Sequence, residues 1–163
     1  MTRDFGFAEA LHAGQPCPEL AEKLMLYGWL IGGWTMRARL QPEPGKWVEA
    51  AGRIDFGWIL EGRAIQDVWN LPGWFHGTTL RVYDPAIDAW HILWNEPFKQ
   101  YFTHQIGRVS GKDIVQIGKG RDNRDIRWSF TEIRPDSFRW TGERKMDDGS
   151  WFLECDIRAG RRA

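Results

Sequence analysis

Residues 47–69 read WVEAAGRIDFGWILEGRAIQDVW. Their first half alternates with a period of two. Trp47, Glu49, Arg53 and Asp55 fall on one face, and Val48, Ala50, Ile54, Phe56 and Trp58 on the other. That period belongs to a strand with one wet and one dry face. The second half, LEGRAIQDVW (60–69), also reads as a strand. Yet it carries polar groups on both faces, Arg63 and Asp67 on one and Gln66 on the other. A sealed core has no use for that pattern. An interior that holds water or a ligand does.

The same alternation continues outward, cut at short intervals by turn signals. These are QPEPG (41–45), LPGW (71–74), YDPAID (83–88), VSGKD (109–113), GRDNRD (120–125), IRPDS (133–137) and MDDGS (146–150). Proline and glycine break ladders, while Asp, Asn and Ser close tight turns. The spacing predicts strands at 33–40, 47–59, 61–70, 77–83, 88–95, 99–108, 113–120, 125–133, 137–145 and 150–158. Strands joined mainly by short turns form a meander of hairpins. Such a sheet has two long unpaired edges unless it closes. The fold class expected is all-β, a ten-stranded antiparallel up-and-down barrel. Before it, CPELAEKLMLYG (17–28) predicts one short helix over 18–28. Pro18 suits its first turn, and Leu20, Leu24 and Tyr27 share a side. The expected organisation is a single domain, 1–163, with the barrel over 33–158.

Alternation also assigns faces elsewhere. Trp128, Phe130 and Glu132 share one side of their strand, as do Phe138, Trp140 and Arg144. Trp151, Leu153, Cys155 and Ile157 share another, opposite Glu154, Asp156 and Arg158. His104 keeps step with Phe98, Phe102 and Ile106 and is expected to face inward. Glu132 and Arg144 on otherwise apolar faces need partners or solvent, because an isolated buried charge is costly.

Composition bounds the function. Lys plus Arg and Asp plus Glu number 22 each, which leaves no global field for nucleic acid or anionic lipid. No apolar run is long enough to span a membrane, and MTRDFGFAEA (1–10) lacks the apolar stretch of a leader. Cys17 and Cys155 make neither a disulfide framework nor a zinc site. A cytoplasmic protein with reduced thiols is expected. Eleven tryptophans in 163 residues are more than a solid core of this size usually carries; aromatic walls around a cavity are one explanation, and an ordinary β core rich in aromatics is the other.

LIGGWTMRARL (30–40) adds a resemblance. A short helix followed by Gly32, Gly33 and Trp34 resembles the opening of the lipocalins and wider calycins. The resemblance implies that Trp34 packs under the barrel floor against an arginine of the last strand, with Arg158 as the implied partner. GWILEGRAIQDVW (57–69), TLRVYDPAIDAWHILW (79–94) and RWSFTEIRPDSF (127–138) resemble a poorly characterised microbial family of lipocalin-like, calycin-type proteins. Together the blocks cover about 30–158 and imply a fold rather than an activity. The chain departs from two neighbouring groups. Nitrobindin-like barrels hold haem through a late histidine, and no histidine follows His104. Fatty-acid-binding proteins pair an Arg with a Tyr on the last strands, and no tyrosine follows Tyr101.

The expected function is binding of a small apolar or aromatic molecule in the barrel interior. The alternative is a cofactor-free lyase, hydratase or isomerase working by acid/base chemistry. Asp67, Glu132 and His104 are the candidate acid/base residues. Arg63, Gln66, Trp58, Trp94, Trp128, Trp140 and Arg144 are the candidate ligand contacts. No cofactor and no metal is expected. A small hydrophobic or aromatic ligand is the expected partner; a homodimer stays open, and nucleic acid and membrane are not expected.

Overall fold

The computed structural model describes residues 6–163. Residues 1–5, part of the stretch read as lacking a leader, lie outside the described residues. The described chain opens with helix α1 (Gly6–Leu11), a two-residue strand β1 (His12–Ala13), a 3-10 turn (Pro18–Leu20) and helix α2 (Ala21–Gly28). Ten longer strands follow. They are β2 (Gly32–Glu43), β3 (Lys46–Ile59), β4 (Ala64–Leu71), β5 (Phe75–Asp84), β6 (Ala89–Glu96), β7 (Tyr101–Ser110), β8 (Asp113–Lys119), β9 (Asp125–Arg134), β10 (Ser137–Lys145) and β11 (Trp151–Arg161). Each pairs antiparallel with the next. β11 then pairs with β2, from Cys155 opposite Leu40 to Arg161 opposite Trp34, and closes the ring. Closure removes the two edges that a flat meander would expose. The expected ten-stranded up-and-down barrel is the observed one. No described helix is long and apolar enough to cross a membrane.

The expected helix over 18–28 is present, entered through the 3-10 turn at Pro18; α1 and β1 were not foreseen. Residues 60–63 correct the opening reading. They form the β3–β4 turn rather than strand, with left-handed backbone at Leu60, Glu61 and Gly62. Only glycine fits at 62, because a Cβ there would lie 2.2 Å from the Gln15 carbonyl oxygen.

Helix α2 plugs one end of the barrel. Leu24 and Tyr27 are buried, and Gly28 lets the helix settle on Trp58, whose ring lies 2.9 Å from where a Cβ would stand. Tyr27 meets Trp90 edge-on at 4.9 Å and Phe130 at 6.0 Å. Trp34 is fully buried beside Phe138 (4.8 Å), and its indole N–H donates to the Leu30 carbonyl at 2.7 Å. Its cationic partner is Arg161, not the expected Arg158. The Arg161 guanidinium lies 4.2 Å over the indole and donates to the carbonyls of Ile31 and Trp29. Two causes explain the difference. β11 runs three residues past 158, and parity turns Arg158 to the outer face while Ile157 and Ala159 are buried. Arg158 pairs there with Glu132.

Both cysteines are unpaired and buried. Burial pushes the Cys155 thiol up to about 12. At pH 8 only about one molecule in ten thousand then carries the reactive thiolate there. Cys155 should therefore ignore a disulfide reagent such as DTNB in the native protein and react once guanidinium unfolds it. Stoichiometric native labelling at Cys155 would show that β11 opens.

Candidate functional site

At the end away from α2 the barrel is hollow. A cavity of about 670 Å³ opens there between the β4–β5, β6–β7 and β8–β9 turns. Five tryptophans line it: Trp69, Trp74, Trp94, Trp128 and Trp140. Four of them form a chain of tilted and edge contacts. Trp69 meets Trp140 at 5.6 Å, Trp140 meets Trp128 at 5.4 Å, and Trp128 meets Trp94 at 6.3 Å. Phe75 adds an edge contact to Trp94 at 6.1 Å. These rings come from β4, β5, β6, β9 and β10, where period-two alternation aims them inward.

The inner limit of the cavity is ionic. Arg81 lines it and is 2% exposed; Asp67, at 1%, holds the guanidinium in a salt bridge. The other Asp67 oxygen accepts the Thr79 backbone N–H at 2.7 Å. The Arg81 cation also lies over the rings of Tyr27 (5.4 Å), Phe56 (5.5 Å) and Phe130 (5.8 Å). The charge is thus balanced by one carboxylate and by three aromatic faces. Behind it the Tyr27 hydroxyl donates to Gln116 at 2.9 Å, and burial raises the Tyr27 pKa well above its ordinary value.

The mouth is polar. Glu96 is buried and accepts the N–H groups of Phe98 (3.1 Å) and Lys99 (2.8 Å), which ties down the β6–β7 turn. Arg144 lies 2.7 Å from Glu154 and over the Phe152 ring at 5.2 Å. Burial raises the Glu154 carboxyl above its usual range, against the opposing pull of Arg144. Burial also pushes the Tyr101 hydroxyl up to about 12.

Of the expected contacts, Trp94, Trp128, Trp140 and Arg144 line this cavity. Asp67 is buried behind the cavity lining, with its oxygens committed to Arg81 and Thr79. Trp58 is buried at the other end, against α2. Arg63 sits in the β3–β4 turn, exposed and paired with Glu19 at 2.8 Å. Gln66 is half-buried and donates to the Thr78 hydroxyl at 2.9 Å, outside the lumen.

Three residues face the other way from the one expected, two of them at register slips. Glu132 is exposed because the β9–β10 pairing slips between Ser137 and Arg139, with left-handed backbone at Glu132 itself. The slip turns its side chain outward. Glu154 faces the cavity because the pairing passes from Gly142–Cys155 to Glu143–Leu153 and leaves Glu154 as the extra residue. Beyond that bulge the faces invert. Phe152 reaches Arg144 inside, while Trp151 stacks with Arg127 on the far side at 4.3 Å. On β7 no bulge is involved. Phe102 is 55% exposed and His104 is exposed, while Thr103 and Gln105 are buried. His104 instead joins an outer chain: its Nε2 is 2.8 Å from His91 Nδ1, and His91 Nε2 is 2.9 Å from Asp84.

Sequence reasoning missed Arg81, Tyr101, Arg121 and Glu154. Thr79, Arg81 and Tyr83 do alternate with Leu80 and Val82 in TTLRVYD (78–84), where the apolar pair takes the opposite face.

Neither a known sequence family nor a curated protein matches the chain. Solved structures do. Rv2717c from M. tuberculosis is 12% identical, with a TM-score of 0.61 over 91% of this chain and 100% of the other. The S-type phycobiliprotein lyase CPES from Guillardia theta is 14% identical, with a TM-score of 0.61 over 91% of this chain and 99% of the other. At these identities the likeness is one of fold, a lipocalin-like barrel.

Proposed function

We propose that the protein binds a small, flat, apolar or aromatic molecule in the open end of its barrel. The observation that carries this reading is the chain of four tryptophans around a 670 Å³ cavity. Ligand sites of this kind are concave and mostly apolar, with a few placed polar groups. Here those groups are Arg81 at the floor and Lys99, Arg121, Arg144 and Glu154 at the mouth. The rings meet tilted or edge-on rather than stacked, so a planar guest would break no face-to-face contact in the chain.

The test is a fluorescence titration with a naphthalene probe, 2-naphthamide. Saturable quenching of the tryptophans is the expected result. Trp140→Ala, which removes the ring shared by Trp69 and Trp128, should weaken binding about tenfold or more. Near-UV circular dichroism would verify that the barrel persists. Unchanged affinity in Trp140→Ala would place the probe elsewhere and sink this reading.

Acid/base chemistry by a lyase, hydratase or isomerase is the second reading. The observation favouring it is Glu154, a carboxyl with a raised pKa inside a cavity, aimed there by a bulge. One structural neighbour is by its title a lyase, so the fold is compatible with either use. Glu154→Gln keeps the shape and cannot take a proton. Loss of turnover with retained binding would mark catalysis once a substrate is in hand.

A further inference from the structure

The charges around the cavity mouth are unevenly matched. Each carboxylate that lines the cavity has a partner. Glu96 holds the backbone N–H groups of Phe98 and Lys99. Asp122 is turned to Arg124, 3.2 Å from its Nε, and accepts the Arg124 backbone N–H at 3.2 Å. Glu154 is paired with Arg144. Among the cations, Arg81 is answered by Asp67 and Arg144 by Glu154. Lys99 and Arg121 also line the cavity, and no carboxylate among the described residues forms an ion pair with either.

Nor are these two free to drift apart. Arg121 donates to the Lys99 carbonyl at 2.6 Å and lies over the Tyr101 ring at 5.1 Å. Lys99 Nζ donates to the Trp74 carbonyl. Two backbone anchors and one aromatic face thus hold a pair of unanswered cations at the rim of an aromatic pocket. Both side chains keep further N–H donors for a ligand.

We propose that the ligand is a planar aromatic or conjugated acid, its ring among the tryptophans and its carboxylate at the mouth between Lys99 and Arg121. This inference rests on the binding reading above and adds the sign of the ligand's charge. A carboxylate there gains charge-assisted hydrogen bonds from donors the fold has already placed.

Three probes of one size and different charge test it: 2-naphthoate, 2-naphthamide and 2-naphthylmethylammonium, each titrated against the full chain. The naphthoate should bind about tenfold tighter than the amide, a difference of about 1.4 kcal/mol, and the ammonium most weakly. That advantage should shrink between about 0.02 and 0.5 M salt, because the mouth is open to solvent. In the double variant Lys99→Gln/Arg121→Gln the ratio of naphthoate to amide affinity should fall to about one. Both side chains are exposed, so the barrel tolerates the change. Equal affinities for naphthoate and amide in the parent protein, with both lost in Trp140→Ala, would overturn the acid anchor and leave the pocket standing. A naphthoate preference that survives the double variant would overturn it too, by moving the anchor to another residue. If no probe binds, the anchor and the binding reading fall together.

Discussion

Asp67→Ala should cost the fold about 3–5 kcal/mol in urea unfolding, because it strands a buried guanidinium. Arg81 is 2% exposed, and its charge has one carboxylate to answer it. Removing that carboxylate leaves three aromatic faces, which are worth far less than the desolvation of a cation. The same change strips the Thr79 N–H of its acceptor. The sharper comparison is with the double replacement Asp67→Leu/Arg81→Met. An apolar pair of similar volume often stabilises as well as a buried ion pair does. The double variant should therefore be more stable than Asp67→Ala alone, despite carrying more changes. If it is less stable, the pair contributes net stability beyond mutual compensation. If Asp67→Ala costs under about 1 kcal/mol, Arg81 reaches solvent through the cavity and the floor is open rather than sealed.

Trp34→Ala should cost about 3–5 kcal/mol as well, for a different reason. The indole is wholly buried where β2, β11 and the chain leaving α2 converge. Its loss would leave a large cavity beside Phe138 and free the Leu30 carbonyl. It would also remove the ring under Arg161, the residue whose donors bind the carbonyls of Trp29 and Ile31. Helix and barrel would then be tied by fewer contacts, so the unfolding transition should lose cooperativity. Arg158→Ala is the control. Arg158 is exposed on the outer face, and a surface ion pair contributes at most about 1 kcal/mol. A larger loss from Arg158→Ala than from Arg161→Ala would reverse the assignment of the floor cation.

The wall of the cavity was partly legible before the structure. Trp128 and Trp140 follow from alternation along their strands, and Arg144 follows from Trp140 by the same count. The mouth was not legible. Lys99, Arg121 and Asp122 sit in or beside turns, where period two gives no direction. Glu154 and Glu132 lie at register slips, where one extra residue exchanges the faces of everything beyond it.

By itself the sequence determined the antiparallel meander that closes into a barrel and the helix before it, while the burial of Trp34 came only from the resemblance to calycins. The strands and the helix depend on local periodicity and turn chemistry, which each segment carries alone. Tertiary structure decided which polar groups entered the lumen. On β7 the larger apolar residues, Phe102 and Ile106, share the outer face, while Thr103 and Gln105 are buried. On this strand the usual rule that the more hydrophobic face is the inner one is inverted. No count along the chain reveals that inversion, because the inner face is fixed only by the pairing of β7 with β6 and β8. Arg81 is the same case. It is tolerated inside because Asp67, Tyr27, Phe56 and Phe130 converge on it from four other positions in the chain. That convergence exists only once the barrel has closed.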